Sequence, residues 1–442
     1  MASPDIQKLV HLVNNLSTLT NSIPQDTTDL SPTQRQEILH LNRSISEHIT
    51  KPDDHILAIA FSINLFIPLR TCTELGVFNL LSSAAPHPLT SAAIAQAVHA
   101  EELLIVRFMR AVCALDFADE VVAGSGSGSP QNTYDTYTYT YIANGVTHAM
   151  TNPGLTAFVG LLFDNAARPR SNLYAHLEEF RRTGFKNPSD ARNGPYQHAN
   201  DCVGSTTFDH WETIPGESAR FSTAMKNYRG SRPSWYDWMD MSVLQHSSGS
   251  ANPDGGDDDD DDDGKNDNDV LLVDVAGGFG HDLAGFVQSQ HSSRLRGRVI
   301  LQDLPIVIED PITKALPARI EKQSHDFFTP QPVKGAKCYF MHIILHDWPD
   351  EDCIKILSHL RDAMTPGYSQ LLVNDAILLE TSCPLIATAY DITMMAHHCG
   401  IERSELMWKK LVDQVSGLEI VKLWYPPEGE GIIQIVRTGG DQ

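Results

Sequence analysis

One histidine and two later carboxylates have the residue types needed to remove a proton from a hydroxyl group. His346 follows an apolar stretch that predicts a strand over 337–344, and it lies just before a turn. An imidazole titrates near neutral pH and can take a proton from a phenol or an enol, a contribution of about 10²–10⁴-fold to a rate. Asp375 and Glu402 are the two candidates for the acid that orients this imidazole. We therefore expect His346 to be a general base.

A glycine-rich turn follows a strongly apolar stretch of the chain. Residues 270–275 have the length and β-branched content of a strand buried on both faces, and the turn after them reads Ala-Gly-Gly-Phe-Gly. Gly277, Gly278 and Gly280 allow the backbone to bend sharply and to approach a ligand without a Cβ atom in the way. The dinucleotide fingerprint G-x-G-x-x-G/A is not met, because its last position is Leu283.

Three carboxylates follow predicted strand ends in order along the chain. Asp274 lies at the glycine turn, Asp303 ends a second short strand at 298–303, and Asp326 lies in a His-Asp-Phe-Phe sequence. A ligand that contacts all three would offer an amine, a ribose diol and an exocyclic amino group, the donors of a nucleoside that carries an amino acid. Phe327 could pack against the base of that nucleoside. Each aspartate alone is equally well explained as a loop cap, whereas the ordered set favours a ligand.

Strand and helix patterns alternate at βαβ spacing from residue 270 onward, which is typical of a doubly wound α/β sheet. In such a sheet a ligand binds beyond the carboxyl ends of the strands, where the three carboxylates and His346 fall. Asp352 is the expected N-cap of the second predicted helix. The predicted strands are 270–275, 298–303, 337–344, 370–375, 418–424 and 431–437, and the predicted helices are 282–290 and 351–364.

The N-terminal part of the chain has helical apolar spacing. Residues 5–50 carry an apolar stripe that packs either on a partner subunit or on its own domain. Two short helices are predicted within 88–115, followed by a flexible Gly-Ser loop at 123–130 and a Tyr- and Thr-rich strand at 133–142. Two helices followed by strands in this way form a winged-helix pattern.

A winged helix raises the hypothesis of DNA binding, which needs a basic recognition helix. Arg107 and Arg110 on the second helix are balanced by Glu101 and Glu102. The formal net charge of the chain is −23, and affinity for nucleic acids depends on clustered Lys and Arg. Nucleic acids are therefore not expected as partners.

Cysteine usage and the first residues of the chain predict a cytoplasmic protein. The seven cysteines form no C-x-x-C pair and are spread through predicted helices and strands, as in a reduced intracellular protein. We see no basic n-region with an apolar h-region and no long apolar run, so neither a leader nor a membrane span is expected.

His342 and His346 are four residues apart, which raises the hypothesis of a metal site. On a strand this spacing separates the two side chains, so no metal is expected.

The length of 442 residues suits two or more domains, and composition suggests their limits. Residues 151–246 are mostly helical in pattern and rich in aromatics, which either form a core or line an aromatic-sized pocket. Residues 247–269 contain an unbroken run of aspartates and predict a disordered insertion, without the spaced ligands of a Ca²⁺ site. This leaves 1–150 as an N-terminal helical domain and 270–442 as a catalytic domain.

Five motifs occur in the order seen in the caffeic-acid-type, S-adenosylmethionine-dependent O-methyltransferases. The motifs are V-D-V-A-G-G-F-G at 273–280, Q-D-L-P-I-V-I at 302–308, H-D-F-F at 325–328, I-L-H-D-W-P-D at 344–350, and D-I-T-M-M…G-I-E-R-S at 391–404. The chain resembles most the fungal natural-product branch of this family. The resemblance is strong over 270–437 and extends over 55–245 through the winged-helix dimerisation domain and Phe221-x-x-x-Met225.

The resemblance implies a fold, a cofactor and a set of site residues. The fold would be a Rossmann-like doubly wound methyltransferase sheet with an N-terminal, mainly helical winged-helix dimerisation domain, in a homodimer that binds S-adenosylmethionine. Asp303 would hold the ribose, Asp326 and Phe327 the adenine end, and the glycine turn the methionine part. The implied cofactor contacts are Asp274, Gly277, Gly278, Gly280, Asp303, Leu304, Asp326, Phe327 and His342, the implied acceptor contacts are Phe221, Met225, Met394 and Met395, and the implied catalytic residues are His346, Asp375 and Glu402.

Three positions depart from the pattern of the family. Ala276 replaces the usual first glycine of the turn, a change that is tolerable if its φ is negative. His342 stands where relatives usually have Lys or Arg, which questions its contact with the cofactor. Asp375 stands where Glu is common, and its shorter side chain questions its reach to His346.

These observations predict methyl transfer to a hydroxyl group of an aromatic or polyketide-like small molecule. No metal is required, because a sulfonium already carries an activated methyl group and the protein mainly aligns the reactants. The alternative is a methyltransferase-like fold that keeps S-adenosylmethionine as a non-reactive group and catalyses a pericyclic or dehydration step. A binding or regulatory protein without turnover is disfavoured by the presence of His346.

Overall fold

The described part of the chain forms two compact units. The structure, a computed structural model, describes residues 4–24, 29–121, 139–167, 172–226, 232–245, 269–380, 383–426 and 429–439. The first unit falls within 1–165 and 219–228, and the second falls within 166–218 and 229–442. Residues 151–246 therefore contribute to both units.

Helices dominate the first unit, whereas strands and helices alternate in the second. The α-helices are α1 (Pro4–Asn21), α2 (Pro32–Ile49), α3 (Pro52–Ser62), α4 (Phe66–Glu74), α5 (Val77–Ala84), α6 (Ser91–Val98), α7 (Glu102–Ala114), α8 (Gly145–Ala149), α9 (Pro153–Ala167), α10 (Asn172–Thr183), α11 (Pro195–Ala199), α12 (Thr207–Thr213), α13 (Glu217–Lys226), α14 (Trp235–Trp238), α15 (His281–Gln288), α16 (Pro305–Ile308), α17 (Pro311–Lys314), α18 (Asp350–Ala363), α19 (Leu385–His398) and α20 (Glu405–Asp413). The strands are β1 (Leu89–Thr90), β2 (Asp119–Glu120), β3 (Thr140–Ile142), β4 (Val270–Val275), β5 (Arg298–Asp303), β6 (Ile320–Ser324), β7 (Cys338–His342), β8 (Gln370–Asp375), β9 (Leu418–Trp424) and β10 (Gly431–Arg437). Single 3₁₀ turns are Ile63–Leu65, Met241–Leu244, Ser292–Arg294 and Leu345–Asp347.

A small antiparallel sheet and two helices form the core of the first unit. The strand order is β1-β3-β2, and helices α6 and α7 connect β1 to β2 along the chain. Ile94 on α6, Ile105 on α7 and Tyr141 on β3 are fully buried in one hydrophobic cluster. Burial of each aliphatic side chain of this size stabilises the fold by about 1.5–3 kcal/mol.

A seven-stranded sheet forms the core of the second unit, in the order β6-β5-β4-β7-β8-β10-β9. The five strands β4 to β8 are mutually parallel, and β10 pairs antiparallel with both β8 and β9. Val273 and Tyr339 are buried on one face, and Leu272 and Phe340 are buried on the other. The predicted Rossmann-like doubly wound sheet is confirmed.

Most of the predicted strand bounds agree with the structure. The strands predicted at 298–303, 370–375, 418–424 and 431–437 are confirmed residue for residue. The N-cap predicted at Asp352 is wrong, because α18 begins at Asp350 after Pro349 and therefore already contains Asp352 in its first turn. Strand β6 was missed, since its sequence Ile-Glu-Lys-Gln-Ser is polar at most positions, as suits the edge of a sheet.

Some predicted features lie outside the described residues. They are the Gly-Ser loop at 123–130, the first part of the strand at 133–142, and nearly all of the acidic insertion at 247–269. Across the described ranges, we find no helix whose length and apolar character would allow it to cross a membrane.

Candidate active site

The carboxyl ends of four neighbouring parallel strands bring most of the predicted site residues to one edge of the second unit's sheet. The order β5-β4-β7-β8 places the glycine turn after β4 beside the strand ends at Asp303, His342 and Asp375. Parallel strands all end at the same edge, so side chains far apart in sequence become neighbours there. His346 lies four residues beyond the end of β7, in the 3₁₀ turn Leu345–Asp347.

Left-handed backbone shapes the turn after β4. Gly278 has φ +58° and Gly280 has φ +71°, which glycine adopts without a Cβ penalty. Ala276 has φ +60°, so the condition under which alanine is readily tolerated there, a negative φ, is not met. A left-handed alanine costs about 1–2 kcal/mol, and the surrounding structure must hold it there. A Cβ atom at Gly277 would collide with the carboxylate of Asp274.

Asp303 is fixed against this turn by two backbone hydrogen bonds. Gly278 N–H donates to Oδ2 at 2.8 Å, and Leu304 N–H donates to Oδ1 at 2.7 Å. Burial raises the pKa of Asp303, while these two N–H donors act in the opposite direction. Each oxygen keeps a further lone pair, so the carboxylate can still accept two hydrogen bonds from a diol.

Asp274 is a buried carboxylate with an unused oxygen. It is 1% exposed, and its Oδ2 has no hydrogen-bond partner among the described residues. Burial, followed by the charges of Asp282 and Asp303, raises the pKa of Asp274 well above its usual range. A buried polar atom without a partner is costly, which indicates that a donor such as an ammonium group belongs beside it.

His342 is engaged by a carboxylate that the motif comparison did not identify. Its Nδ1 lies 2.5 Å from Oδ2 of Asp282, in the first turn of α15, and both side chains are largely buried. The two residues are distant in sequence, and the only cue for Asp282 was its position just after the glycine turn. Asp282 therefore fixes the orientation of the His342 side chain at the end of β7.

Asp326 and Phe327 lie in the loop after β6. Asp326 is exposed, and its Oδ1 accepts a hydrogen bond from Phe328 N–H at 2.9 Å, so it caps its own loop. Phe327 packs edge-on against Trp348 with ring centroids 5.9 Å apart. Leu304, 45% exposed, precedes α16 at the end of β5.

Glu402 is the acid that orients His346. Oε1 of Glu402 lies 2.6 Å from Nδ1 of the buried imidazole, whereas Oδ1 of Asp375 is 4.0 Å from the same nitrogen. Asp375 therefore acts on His346 through its charge and not through a hydrogen bond. Both carboxylate oxygens of Asp375 are buried without a partner among the described residues.

Carboxylates on several sides make His346 strongly basic. Burial lowers the pKa of His346, but the charges of Asp347 and Asp375 and the contact with Glu402 outweigh it and raise the pKa to about 10. Burial raises the pKa of Asp375 to about 7 and that of Asp347 to about 6. Burial also lowers the pKa of nearby His398 well below its usual value. Only Glu402 and Asp375 were foreseen as partners of the imidazole.

The predicted acceptor contacts divide between the two units. Met394 and Met395 are partly buried on α19, whose Asp391 accepts a hydrogen bond from the backbone N–H of Glu402 at 3.0 Å. Phe221 and Met225 lie on α13 in the first unit. Among the described residues, no group of three or more His, Cys, Asp and Glu side chains could hold a metal ion.

Comparison with known proteins identifies the family. Residues 269–417 match the family model of the O-methyltransferase domain. The O-methyltransferase penC of Penicillium thymicola is 32% identical over 407 residues, which cover 91% of this chain and 92% of the relative. The chain belongs to the O-methyltransferase family. The O-methyltransferase asqD of Emericella nidulans is 34% identical over 380 residues, 85% of this chain and 87% of that protein.

Membership in this family confirms the predicted enzyme class, an S-adenosylmethionine-dependent O-methyltransferase. The predicted resemblance of the chain to fungal members of the family is also confirmed. Solved structures agree with the fold. A complex of LepI with SAM has a TM-score of 0.77 at 24% identity and covers 98% of this chain and 99% of LepI. OxaC in complex with sinefungin and meleagrin has a TM-score of 0.74 at 24% identity, over 97% of this chain and 99% of OxaC.

Proposed function

We propose that this O-methyltransferase methylates a hydroxyl group of an aromatic or polyketide-like small molecule, with His346 as the general base. The observation that carries the proposal is the 2.6 Å contact between Nδ1 of His346 and Glu402. This contact occupies Nδ1, so Nε2 is the nitrogen that takes the proton of the acceptor hydroxyl. The pair lies at the edge of the sheet that also carries Asp274 and Asp303.

The glycine turn and its carboxylates fit S-adenosylmethionine. Asp274 has a buried oxygen without a partner, which suits the ammonium of the methionine part. Asp303 is held by two backbone donors with lone pairs left for the ribose hydroxyls. Asp326 and Phe327 would contact the adenine end, as the family pattern implies. When bound, the cofactor supplies a methyl group already activated on a sulfonium.

The role of His346 follows from proton balance. Asp274 and Asp303 would hold the cofactor, which would supply the methyl group to the acceptor oxygen and would keep the electron pair of the methyl–sulfur bond on its sulfur. The hydroxyl proton moves to Nε2 of His346, and Glu402 stabilises the resulting imidazolium through Nδ1–H. A base of raised pKa provides a strong driving force for this transfer once it is deprotonated.

Two methionines on α19 would contribute to the acceptor site. Met394 and Met395 lie on the helix whose Asp391 binds the backbone of Glu402, which supports their place near the base. Phe221 and Met225, on α13 of the first unit, are acceptor contacts that the family pattern implies. Methionines adapt to irregular aromatic ligands, which suits a bulky acceptor.

A pericyclic or dehydration step is the alternative reaction. A protein described as a pericyclic reaction enzyme shares the fold, with a TM-score of 0.76 at 24% identity. The buried His346–Glu402 pair favours methyl transfer, since it supplies the proton acceptor that this reaction needs. Incubation with methyl-labelled cofactor and candidate phenols separates the two: label in the product supports transfer, and conversion without label supports the alternative.

The first unit supports a homodimer. Ile56, Ile59, Ile63 and Ile67 are 64%, 64%, 56% and 49% exposed along α3, the following 3₁₀ turn and α4. Exposed apolar side chains that recur along one stretch of the chain are typical of a protein interface. We infer that a second copy of the chain covers these isoleucines. We also infer that the first unit contains a winged helix, which the element order β1-α6-α7-β2-β3 supports. A monomer by light scattering would refute the homodimer.

A cytoplasmic location is proposed for the enzyme. All seven cysteines are free thiols, and four of them, Cys72, Cys338, Cys353 and Cys399, are buried. Unpaired thiols in this number suit a reducing compartment. Fluorescence microscopy of the tagged protein in an expressing cell tests the location.

A further inference from the structure

Arg403 is a fully buried cation that the proposed mechanism does not use. It is 1% exposed, and its guanidinium lies over the ring of Trp408 at 5.3 Å. Asp350, its carboxylate partner, lies 2.7 Å from Nη2 and is itself about half exposed. Removal of an arginine from water is costly unless its donors are satisfied, so the contacts of this guanidinium define what it does.

The guanidinium binds both ends of the turn that carries His346. Nη1 donates to the carbonyl oxygen of Leu345 at 2.9 Å, and Nη2 donates to that of Trp348 at 3.0 Å. These two residues flank the catalytic imidazole on either side of the 3₁₀ turn. A planar, rigid fork can hold two carbonyls at a fixed separation, which a lysine ammonium cannot do.

The backbone before Arg403 is pressed against the same turn. Ile401 N–H donates to the carbonyl oxygen of His346 at 2.9 Å. A Cβ atom at Gly400 would collide with that carbonyl, so only glycine allows this approach. Glu402, between these contacts, has its own backbone N–H held by Asp391 at 3.0 Å.

Residues 400–403 therefore carry both the acid that orients His346 and the cation that holds its turn. We propose that Arg403 is a positioning residue for methyl transfer, which fixes the turn at 345–348 so that Nδ1 of His346 stays in contact with Glu402. Without the fork, the turn and the acid are joined by one backbone hydrogen bond, and the contact loosens. The inference rests on the proposed role of His346 as the base.

The test is a titration of the His346 imidazole in Arg403→Lys, which keeps the positive charge and removes the fork. Protein labelled with ¹⁵N in its histidines gives the imidazole signals, and His346→Gln assigns the one of interest. In the wild type we expect a midpoint of about 10, because the charges of Asp347 and Asp375 and the contact with Glu402 raise the pKa of His346. In Arg403→Lys we expect it to fall by about one unit, because the contact with Glu402 weakens. Because lysine keeps the positive charge, a fall in this variant reports the loss of the fork and not the loss of a charge.

Asp350→Asn provides a second variant in case Arg403→Lys does not fold. Asp350 pairs with the guanidinium and is about half exposed, so its loss should loosen the fork and cause a smaller fall in the same direction. Arg437→Lys is the matched control, because Arg437 binds the carbonyls of Arg361 and Met364 away from the turn. We expect the wild-type midpoint in this control.

Two further readouts separate the proposal from the function on which it rests. Calorimetry with S-adenosylhomocysteine should give wild-type affinity in Arg403→Lys, since the contacts of Arg403 lie on the turn of the base. Once an acceptor that the wild type methylates is known, kcat of Arg403→Lys should fall on the order of 100-fold, with the KM for the cofactor unchanged. An unchanged His346 midpoint in folded Arg403→Lys, or in Asp350→Asn if only that variant folds, overturns the proposal. This result would leave cofactor binding and transfer by the wild type untouched.

Discussion

Replacement of Glu402 by glutamine tests one of the three acids, Glu402, Asp347 and Asp375, that raise the pKa of His346. The change removes one negative charge but keeps the size of the side chain and an oxygen that can accept the Nδ1–H hydrogen bond. Glu402 Oε1 lies 2.6 Å from Nδ1, and both side chains are buried. Two unit charges about 4 Å apart near a protein surface interact by about 4 kcal/mol.

This interaction sets the size of the expected shift. At about 1.4 kcal/mol per pKa unit, 4 kcal/mol corresponds to about three units, and the hydrogen bond that glutamine keeps makes the shift smaller. Asp347 and Asp375 keep their charges in the variant and continue to raise the pKa of His346. We therefore expect the pKa of His346 to fall by about one to three units in Glu402→Gln.

The assay is the pH dependence of kcat/KM with one acceptor in both proteins. A general base works only when deprotonated, so kcat/KM of the wild type rises with pH through the pKa of His346, about 10. In Glu402→Gln the rise should occur at lower pH and should end at a lower plateau, because a weaker base drives proton transfer less. Ionisation of the acceptor affects both profiles equally.

Glu405→Gln is the matched control for this experiment. Glu405 lies three residues later on α20, where it pairs with Lys409 at 2.6 Å and makes no contact with the imidazole. Its profile should coincide with that of the wild type. A rise at the same pH in Glu402→Gln and the wild type, or a rise displaced to higher pH, would refute the argument.

Two further predictions concern stability. Burial raises the pKa of Asp375 to about 7, above its unfolded value, so the folded state loses stability as pH rises from about 4 to 7 and does not regain it. Asp375→Asn should therefore raise Tm at pH 9, as measured by calorimetry. An equal or lower Tm would contradict the claim that the buried Asp375 carboxylate destabilises the fold when it is ionised. Ala276→Gly should raise the free energy of unfolding by about 1 kcal/mol in urea titrations, because glycine relieves the φ of +60°. Destabilisation by this change would show that Ala276 is not strained.

The sheet could be predicted because its central strands are continuous apolar runs. Strands β5 and β8 have all but their ends buried, so their bounds follow from composition alone. Strand β6 lies at the edge, with Glu321 and Ser324 exposed, and its polar sequence carries no such signal. The backbone of Ala276 was also beyond prediction, because the surrounding turn, and not the residue, sets its φ.

The candidate site was predicted where motifs place residues at strand ends, and less well where partners meet through the fold. His346, Asp303 and Asp274 follow from such motifs. Glu402 and not Asp375 is the direct partner because its oxygen lies 2.6 Å from Nδ1 of His346, whereas that of Asp375 lies 4.0 Å away. The sequence does not indicate these distances. The pairing of Asp282 with His342 joins two elements, and no spacing along the chain indicates it.

Calorimetric titration with S-adenosylhomocysteine tests the central claim most directly, because it needs no knowledge of the acceptor. The claim is that the glycine turn and Asp303 hold the cofactor while His346 serves the chemistry. The wild type should bind the ligand, Asp303→Asn should bind about 10- to 100-fold more weakly through loss of a charged hydrogen bond, and His346→Ala should bind as the wild type does. No heat with the wild type, or equal affinity in Asp303→Asn, would contradict the account.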